Sequence, residues 1–161
     1  MTLSLKNTLK ALLIAMPFLF SSCISKSKEI QKVKVLTYQK TQCYGSCPVY
    51  SITFYSDNSV LVNPTSNFIV SEKSNGKLKK GTVENLLNYA ERINFWSLKK
   101  EYNDALVSDL PSTFITIFNK DQNKKIKVRT NAPPELKELL MKIENIIKTI
   151  QWKAVSTAKK Y

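Results

Sequence analysis

Short runs of alternating apolar and polar residues divide the chain into candidate strands. In the clearest run, 49–55, Tyr50, Ile52 and Phe54 share one face, because successive side chains of a strand point to opposite faces. Asp57-Asn58 and 121–123 are turn signals behind two of these runs, and Pro64 is expected to end the third strand. With its β-branched and aromatic residues, the pattern predicts six strands, at 33–39, 49–55, 59–62, 68–71, 113–118 and 125–129.

Two longer segments carry apolar residues at helical spacing. After a polar loop at 73–80, Thr82 is expected to cap a helix that runs to about Ile93. A second helix is expected to open at Pro133-Pro134, with Pro134 in its first turn. Their apolar stripes are Val83, Leu86, Leu87, Ala90 and Ile93 in the first, and Leu136, Leu139, Leu140, Ile143, Ile146, Ile147 and Ile150 in the second.

The order of these elements predicts the fold class. Strands joined by short turns pair antiparallel, and amphipathic helices must bury their stripes against such a sheet. We therefore expect an α+β fold, in which an antiparallel sheet of about five to six strands has two amphipathic helices packed on one face. The single domain is expected to span 33–153, with a frayed tail at 154–161.

The N-terminus has the pattern of an export signal. Lys6 and Lys10 precede an apolar run at 11–20, and small residues lead into Cys23. The run is far shorter than the roughly 20 residues that cross a bilayer, so residues 1–22 are interpreted as a signal peptide and not as part of the fold. An ordinary signal peptide, cut near Ser22 and leaving an unanchored protein, is the alternative to the lipid anchor considered next.

Residues 19–23, Leu-Phe-Ser-Ser-Cys, resemble the lipobox of bacterial lipoproteins. The resemblance implies a lipid on the Cys23 thiol, cleavage before Cys23, and a tether over residues 23–32. Ile24 is not the Asp that retains some lipoproteins in the inner membrane, so the expected location is the bacterial cell envelope, at the outer membrane. The membrane would then be a partner of the protein through two or more acyl chains, which anchor a protein stably.

Composition narrows the range of functions. The 161 residues carry a formal net charge of +13 and no histidine, which excludes Ser-His-Asp and Cys-His nucleophile systems and histidine-built metal sites. The lysines are dispersed, as on a solvated surface or on one that attracts anionic lipid headgroups, polysaccharide or an acidic protein. Nucleic acid is not expected as a partner of an exported protein, and the sequence indicates no cofactor or metal.

Cys43 and Cys47 form the most distinctive internal motif. A close cysteine pair in an exported protein is expected to be oxidised. Gly45, between them, is able to take a positive φ and tighten the loop, and Pro48 stiffens its exit into the next strand. A structural disulfide is the main interpretation, and a redox-active pair and a metal site are the alternatives. Thiol oxidoreductases carry Cys-x-x-Cys near a βαβ pattern, whereas here three residues separate the cysteines and a strand follows.

The segment Cys43–Tyr50 also resembles a family of uncharacterised bacterial envelope domains marked by Cys-x-Gly-x-Cys-Pro-x-Tyr. Asp109-Leu110-Pro111 and the Ala132-Pro133 helix entry are further points of similarity. The resemblance implies an exported, often lipid-anchored domain without a known activity. Asp109, in a loop before a strand, is interpreted as a turn cap, with a general base as the alternative.

These observations predict a binding or scaffolding module with an anionic envelope component or a protein as its partner. No catalytic residue is assigned. The rival hypothesis is an exported thiol-redox protein or an enzyme that uses Cys43 and Cys47, or Asp109.

Overall fold

A computed structural model describes residues 31–104 and 109–155 of the chain. It confirms the α+β fold, with two helices and one mostly antiparallel sheet. The elements, in chain order, are β1 Lys34–Lys40, β2 Val49–Tyr55, β3 Ser59–Ser66, β4 Ser74–Lys77, α1 Thr82–Arg92, a 3₁₀ turn Phe95–Ser97, β5 Glu101–Tyr102, β6 Thr113–Phe118, β7 Asn123–Val128, α2 Pro134–Lys148 and β8 Lys153–Ala154.

The described residues form one sheet of eight strands, not five to six. Its order is β5-β7-β6-β1-β2-β3-β4-β8, and β5 alone of these runs parallel to its neighbour, β7. Two of the unpredicted strands, β5 and β8, have only two residues each, too few to show an alternating pattern. They form the two edges of the described sheet.

Strand β4 was predicted to be a loop because its sequence, Ser-Asn-Gly-Lys, contains no β-branched residue. Gly76 explains why this segment can lie in the sheet beside β3. A Cβ on this glycine would lie 2.4 Å from Cγ2 of Ile150 and 2.9 Å from Cγ2 of Val60, so the backbone passes beneath both side chains only because residue 76 has none.

The predicted strand at 68–71 is wrong, and those residues form bends. Phe68 uses its ring for tertiary packing, with its centroid 4.3 Å from that of Tyr50 and 6.1 Å from that of Trp152. Pro64 does not end β3, which continues to Ser66. The predicted tail begins with Ala154, which pairs with Ser74 in the sheet, and residues 156–161 lie outside the described part of the chain.

Thr82 is not the cap of α1. Gly81 occupies that position with φ 81°, and no side chain of the cap residue bonds to the helix. The N–H of Val83 instead donates to Oδ1 of Asn58, at 3.0 Å, from the β2–β3 turn. Asn58 has φ 62°, which confirms that Asp57-Asn58 is a turn containing a left-handed residue.

Alternate residues of the strands share one buried face. The register pairs Leu36 with Phe54 and with Ile117, and it pairs Ile52 with Val62, so these side chains point to the same side of the sheet. That side forms one hydrophobic cluster with the stripes of α1 and α2. Among the described residues no helix has the length and apolar character needed to cross a membrane.

Candidate functional site

The Cys43–Cys47 loop connects β1 to β2 and is closed by a disulfide, as predicted, with the two Cα atoms 5.8 Å apart. Gly45 has φ 148° and its N–H donates to the Cys43 carbonyl oxygen at 3.0 Å, which confirms the expected positive φ. A Cβ at Gly45 would meet only the Cys43 sulfur, at 4.0 Å. The backbone conformation, and not a lack of space, therefore favours glycine here.

Hydrogen bonds hold this loop from segments on both sides of it. The Asn67 side-chain amide donates to the Cys47 carbonyl oxygen at 3.3 Å. On the other side, the N–H of Ser112 donates to Oγ1 of Thr41 at 2.9 Å, and the N–H of Thr41 donates to the Ser112 carbonyl oxygen at 3.0 Å. The loop is thus fixed to the residue that follows β3 and, through Thr41, to the residue that precedes β6.

A cleft of about 330 Å³ lies between this loop, the 67–69 segment and the C-terminal half of α2. Its apolar wall includes the ring of Tyr50, which is buried and packs at a tilt against Phe68, with a centroid distance of 4.3 Å. The lining residues are Lys40, Pro48, Tyr50, Asn67, Phe68, Ile69, Glu144, Ile147 and Lys148. Pro48 and Tyr50 of the sequence motif therefore lie in the same site.

Glu144 is the polar centre of the cleft. One of its carboxylate oxygens, Oε1, accepts a hydrogen bond from Oη of Tyr38 at 2.5 Å. The same oxygen lies 2.6 Å from Nζ of Lys40. Tyr38 and Lys40 stand two residues apart on β1 and point to the helical side of the sheet, so the strand presents both donors to the helix.

These contacts determine the charge of the site. Burial by itself would raise the pKa of Glu144, but the hydrogen bonds from Lys40 and Tyr38 outweigh it and, with the charges of Lys40 and Lys148, hold that pKa below its usual range. Burial, followed by the carboxylate of Glu144, raises the pKa of Tyr38 well above its ordinary value. Burial, followed by the same carboxylate, raises the pKa of Tyr50 to about 12. At neutral pH the site thus holds an ionised carboxylate beside two neutral phenols.

A comparison with protein families matches residues 34–147 to a domain of unknown function (DUF6438), and the match covers more than half of the chain. The chain belongs to the DUF6438 family. The matched segment begins with β1 and ends one residue before the end of α2, so it contains the disulfide loop and the whole cleft lining except Lys148. Among curated proteins, the comparison finds no match.

The DUF6438 domain places only some of the sequence-predicted residues in the cleft. Asp109 is exposed and does not line it. Pro111 is half-buried and precedes Ser112, whose backbone is bonded to Thr41. Cys23 lies outside the described residues.

Sequence reasoning missed Lys40, Asn67, Phe68 and Glu144 as components of the site of this DUF6438 domain. The signal for Glu144 was present, because it follows Ile143 and precedes Ile147 on the apolar stripe of α2, where a carboxylate needs a partner. Phe68 was misleading, because aromatic residues are frequent in strands. The residue type alone does not show that its ring packs against a distant ring instead.

The disulfide of the DUF6438 domain lies at the entry to a strand. Cys47 leads into β2, whereas reactive cysteines are typically activated at a helix N-terminus or beside a cation. Over residues 31–104 and 109–155, no group of three or more metal-ligating side chains (histidine, cysteine, aspartate or glutamate) comes together. The arrangement in the cleft, an apolar wall beside fixed polar groups, is suited to binding.

Proposed function

We infer that the chain is a lipid-anchored protein of the bacterial cell envelope, attached at Cys23 to the outer membrane, and that it works as a binding module. The residues at 19–23 and the preceding apolar run support the anchor. The cleft beside the Cys43–Cys47 loop supports the binding role, and it is the observation that carries the proposal.

The rim of the cleft indicates a protein partner. Ile69 in the lining is 66% exposed. Tyr44, in the adjoining Cys43–Cys47 loop and outside the lining, is 95% exposed. Large apolar side chains held this far into solvent on a fixed loop are typical of contact surfaces. Lys148 stands exposed at the same cleft. We therefore expect a protein segment that inserts an apolar side chain and places a carboxylate near Lys148.

The position of the cleft is compatible with a tether. The tether enters the domain at the start of β1, whereas the cleft lies beyond Lys40 at its end. Seven residues of strand separate the two poles by about 20 Å. The cleft is thereby kept away from the point of attachment and accessible to a partner.

The anchor is tested by the intact mass of the protein extracted from its native membrane. A chain that starts at Cys23 and carries added acyl groups supports the proposal. An unacylated chain cut near Ser22 contradicts it. Thiol labelling of the same sample, before and after reduction, shows whether Cys43 and Cys47 are oxidised. We expect both cysteines to take the label only after reduction.

The binding role is tested by a photo-crosslinking residue in place of Tyr44 in native membranes. We expect one protein partner whose capture is abolished by Ile69→Glu and preserved by Met141→Glu, a matched control on α2 that is 55% exposed. The purified partner should then bind Ile69→Glu about thirtyfold more weakly than the unchanged protein, the effect of losing an interface hot spot. Equal binding of the partner by both variants would contradict a binding role for the cleft.

A further inference from the structure

The side of the sheet opposite the helices carries no helix among the described elements. We call it the open face, and its centre is the polar row Thr37, Thr53 and Thr116, paired across β1, β2 and β6. One solvated face is normal for an antiparallel sheet. Lysines and aromatic rings surround this row. A sheet face that is only exposed to solvent does not need this combination.

Three lysines of the open face lie over three aromatic rings. Nζ of Lys32 is 4.4 Å from the ring centroid of Tyr55, and Nζ of Lys34 is 4.2 Å from that of Phe118. Nζ of Lys125 lies 4.3 Å from the centroid of the Phe114 ring. A cation over a ring face is attracted by the ring's quadrupole, so each of these ammonium groups is held beside an aromatic ring of the open face.

An irregularity in β1 brings Lys34 to this face. Lys34 pairs with Tyr55 while Leu36 pairs with Phe54, so β1 has one residue more than β2 at this point. A bulge of this kind changes the face to which the following or preceding side chains point. Without it Lys34 would share the buried face of Leu36 and would not contact Phe118.

The open face is also almost free of acidic strand residues. The register assigns Lys34, Lys77, Lys125, Lys127 and Lys153 to it. Among the residues of the eight described strands, Glu101 is the only acid, and its Oε1 lies 2.8 Å from Nζ of Lys127. Asp57, in the β2–β3 turn, pairs with Lys77 at 3.6 Å, which leaves Lys34, Lys125 and Lys153 in excess. The face therefore carries a clear excess of positive charge.

The tether reaches the domain at this face. Lys32, over Tyr55, is the second described residue, and eight residues, 24–31, separate it from Cys23. Eight residues span at most about 29 Å when fully extended. A chain anchored at Cys23 would thus keep the open face within reach of the lipid headgroups, whereas the helices and the cleft lie on the other side of the sheet.

We propose that the open face is a docking surface for the anionic lipid headgroups of the membrane that holds the anchor. This inference rests on the lipid anchor proposed above. Phosphate groups of the lipids would contact Lys32, Lys34 and Lys125, and the neighbouring rings would lie at headgroup level. The domain would then lie on the membrane through its sheet and turn the cleft away from it.

The test uses the acylated protein, purified from its membrane and inserted into preformed vesicles of phosphatidylcholine with or without phosphatidylglycerol. A membrane-impermeant reagent modifies accessible lysines, and mass spectrometry gives the rate for each one. We expect Lys32, Lys34 and Lys125 to react at least about fivefold more slowly on the anionic vesicles, and the protection to disappear at high salt. Lys137, on α2, should react equally on both.

A pair of double variants supplies the control for total charge. Lys34→Gln/Lys125→Gln removes two charges from the open face, and Lys79→Gln/Lys137→Gln removes two from exposed positions outside the strands. Each lysine near an anionic surface contributes about a fivefold factor to binding. The first variant should therefore lose the protection of Lys32, while the second should keep it.

The results separate this inference from the proposed function. Protein that carries no acyl group and does not float with the vesicles contradicts the anchor itself. Acylated protein that floats with both vesicles, but shows the same lysine rates on each, contradicts docking alone. Protection in native envelopes without protection on anionic vesicles would assign the face to a polysaccharide or a protein and would also overturn the inference.

Discussion

Oδ1 of Asn58 accepts the N–H of Val83 at 3.0 Å, so a turn between two strands caps the first helix. Asn58 has φ 62°, which positions its side chain at the helix start, and the residue is almost fully buried. One side chain thereby fixes both the hairpin and the helix that packs on it. The bond satisfies a buried N–H that the helix itself leaves without a partner.

Replacing Asn58 by glycine separates these two roles. Glycine adopts positive φ readily, so Asn58→Gly keeps the turn but removes the acceptor for Val83. We expect the free energy of unfolding to fall by about 1 to 2 kcal/mol, the usual cost of losing a helix cap. Asn94→Gly is the matched control, since Asn94 has φ 51° and makes no side-chain cap bond, and denaturant unfolding of both variants gives the comparison. Equal loss in the two variants would show that the cap contributes nothing.

The Asn58–Val83 bond also shows where reasoning from the sequence reached its limit. Thr82 has the residue type of a local cap, and nothing in residues 79–85 indicates that the acceptor comes from a turn about 25 positions earlier. By contrast, β2 and β6 were predicted with their correct bounds, and so were the apolar stripes of both helices. These features depend on the local spacing of apolar residues, which is visible in the sequence. The disulfide was predicted because two cysteines lie close together in a chain interpreted as exported.

The missed parts of the fold and site depend on contacts between distant segments. β4 exists because Gly76 allows close approach to Ile150, and Phe68 packs against Tyr50 and Trp152. The polar centre of the cleft joins Tyr38 to Glu144 across 106 positions. Such pairs leave no periodic signal in one sequence.

Gly76 provides a test of close packing. Gly76→Ala places a Cβ 2.4 Å from Cγ2 of Ile150, and overpacking of this kind costs about 1 to 3 kcal/mol of stability. Asn75→Ala, at the next position and on the opposite, exposed side of the strand, should change stability much less. In thermal unfolding, the double variant Gly76→Ala/Ile150→Ala should lose less stability than the two single variants lose together, because removing the Ile150 side chain relieves the clash. Stability losses that simply add would contradict the contact.

The disulfide can be tested as a structural element. Closing so short a loop contributes about 2 kcal/mol in the chain-entropy model, so Cys43→Ser/Cys47→Ser should lower the melting temperature while the partner captured at Tyr44 still binds below that temperature. The rival redox hypothesis makes the opposite prediction, a variant that folds and binds normally but loses its activity in the envelope. Because both hypotheses expect the partner to bind, the melting curves discriminate between them: a lowered melting temperature supports the structural disulfide, and an unchanged one supports the redox pair.

Glu144 should make stability depend on pH in a defined direction. Its pKa in the folded protein is lowered, so its contribution is complete above the ordinary glutamate pKa of about 4.3 and is lost as pH falls through the lower folded pKa. Glu144→Gln keeps an oxygen for Tyr38 but removes the charge, and at neutral pH it should reduce stability by about 1 to 2 kcal/mol. The difference between the variant and the unchanged protein should shrink as the pH falls below about 4.

Glu138→Gln provides the control for that experiment, because its carboxylate lies 3.0 Å from Nζ of Lys142 in an exposed pair one turn apart on α2. Exposed pairs of this kind contribute little to stability because solvent screens them. Denaturant unfolding from neutral to acidic pH should therefore show a large, pH-dependent effect for Glu144 and a small one for Glu138. A difference that stayed constant with pH would mean that Glu144 acts through its shape and not through its charge, and would contradict a stabilising contribution from its ion pair with Lys40.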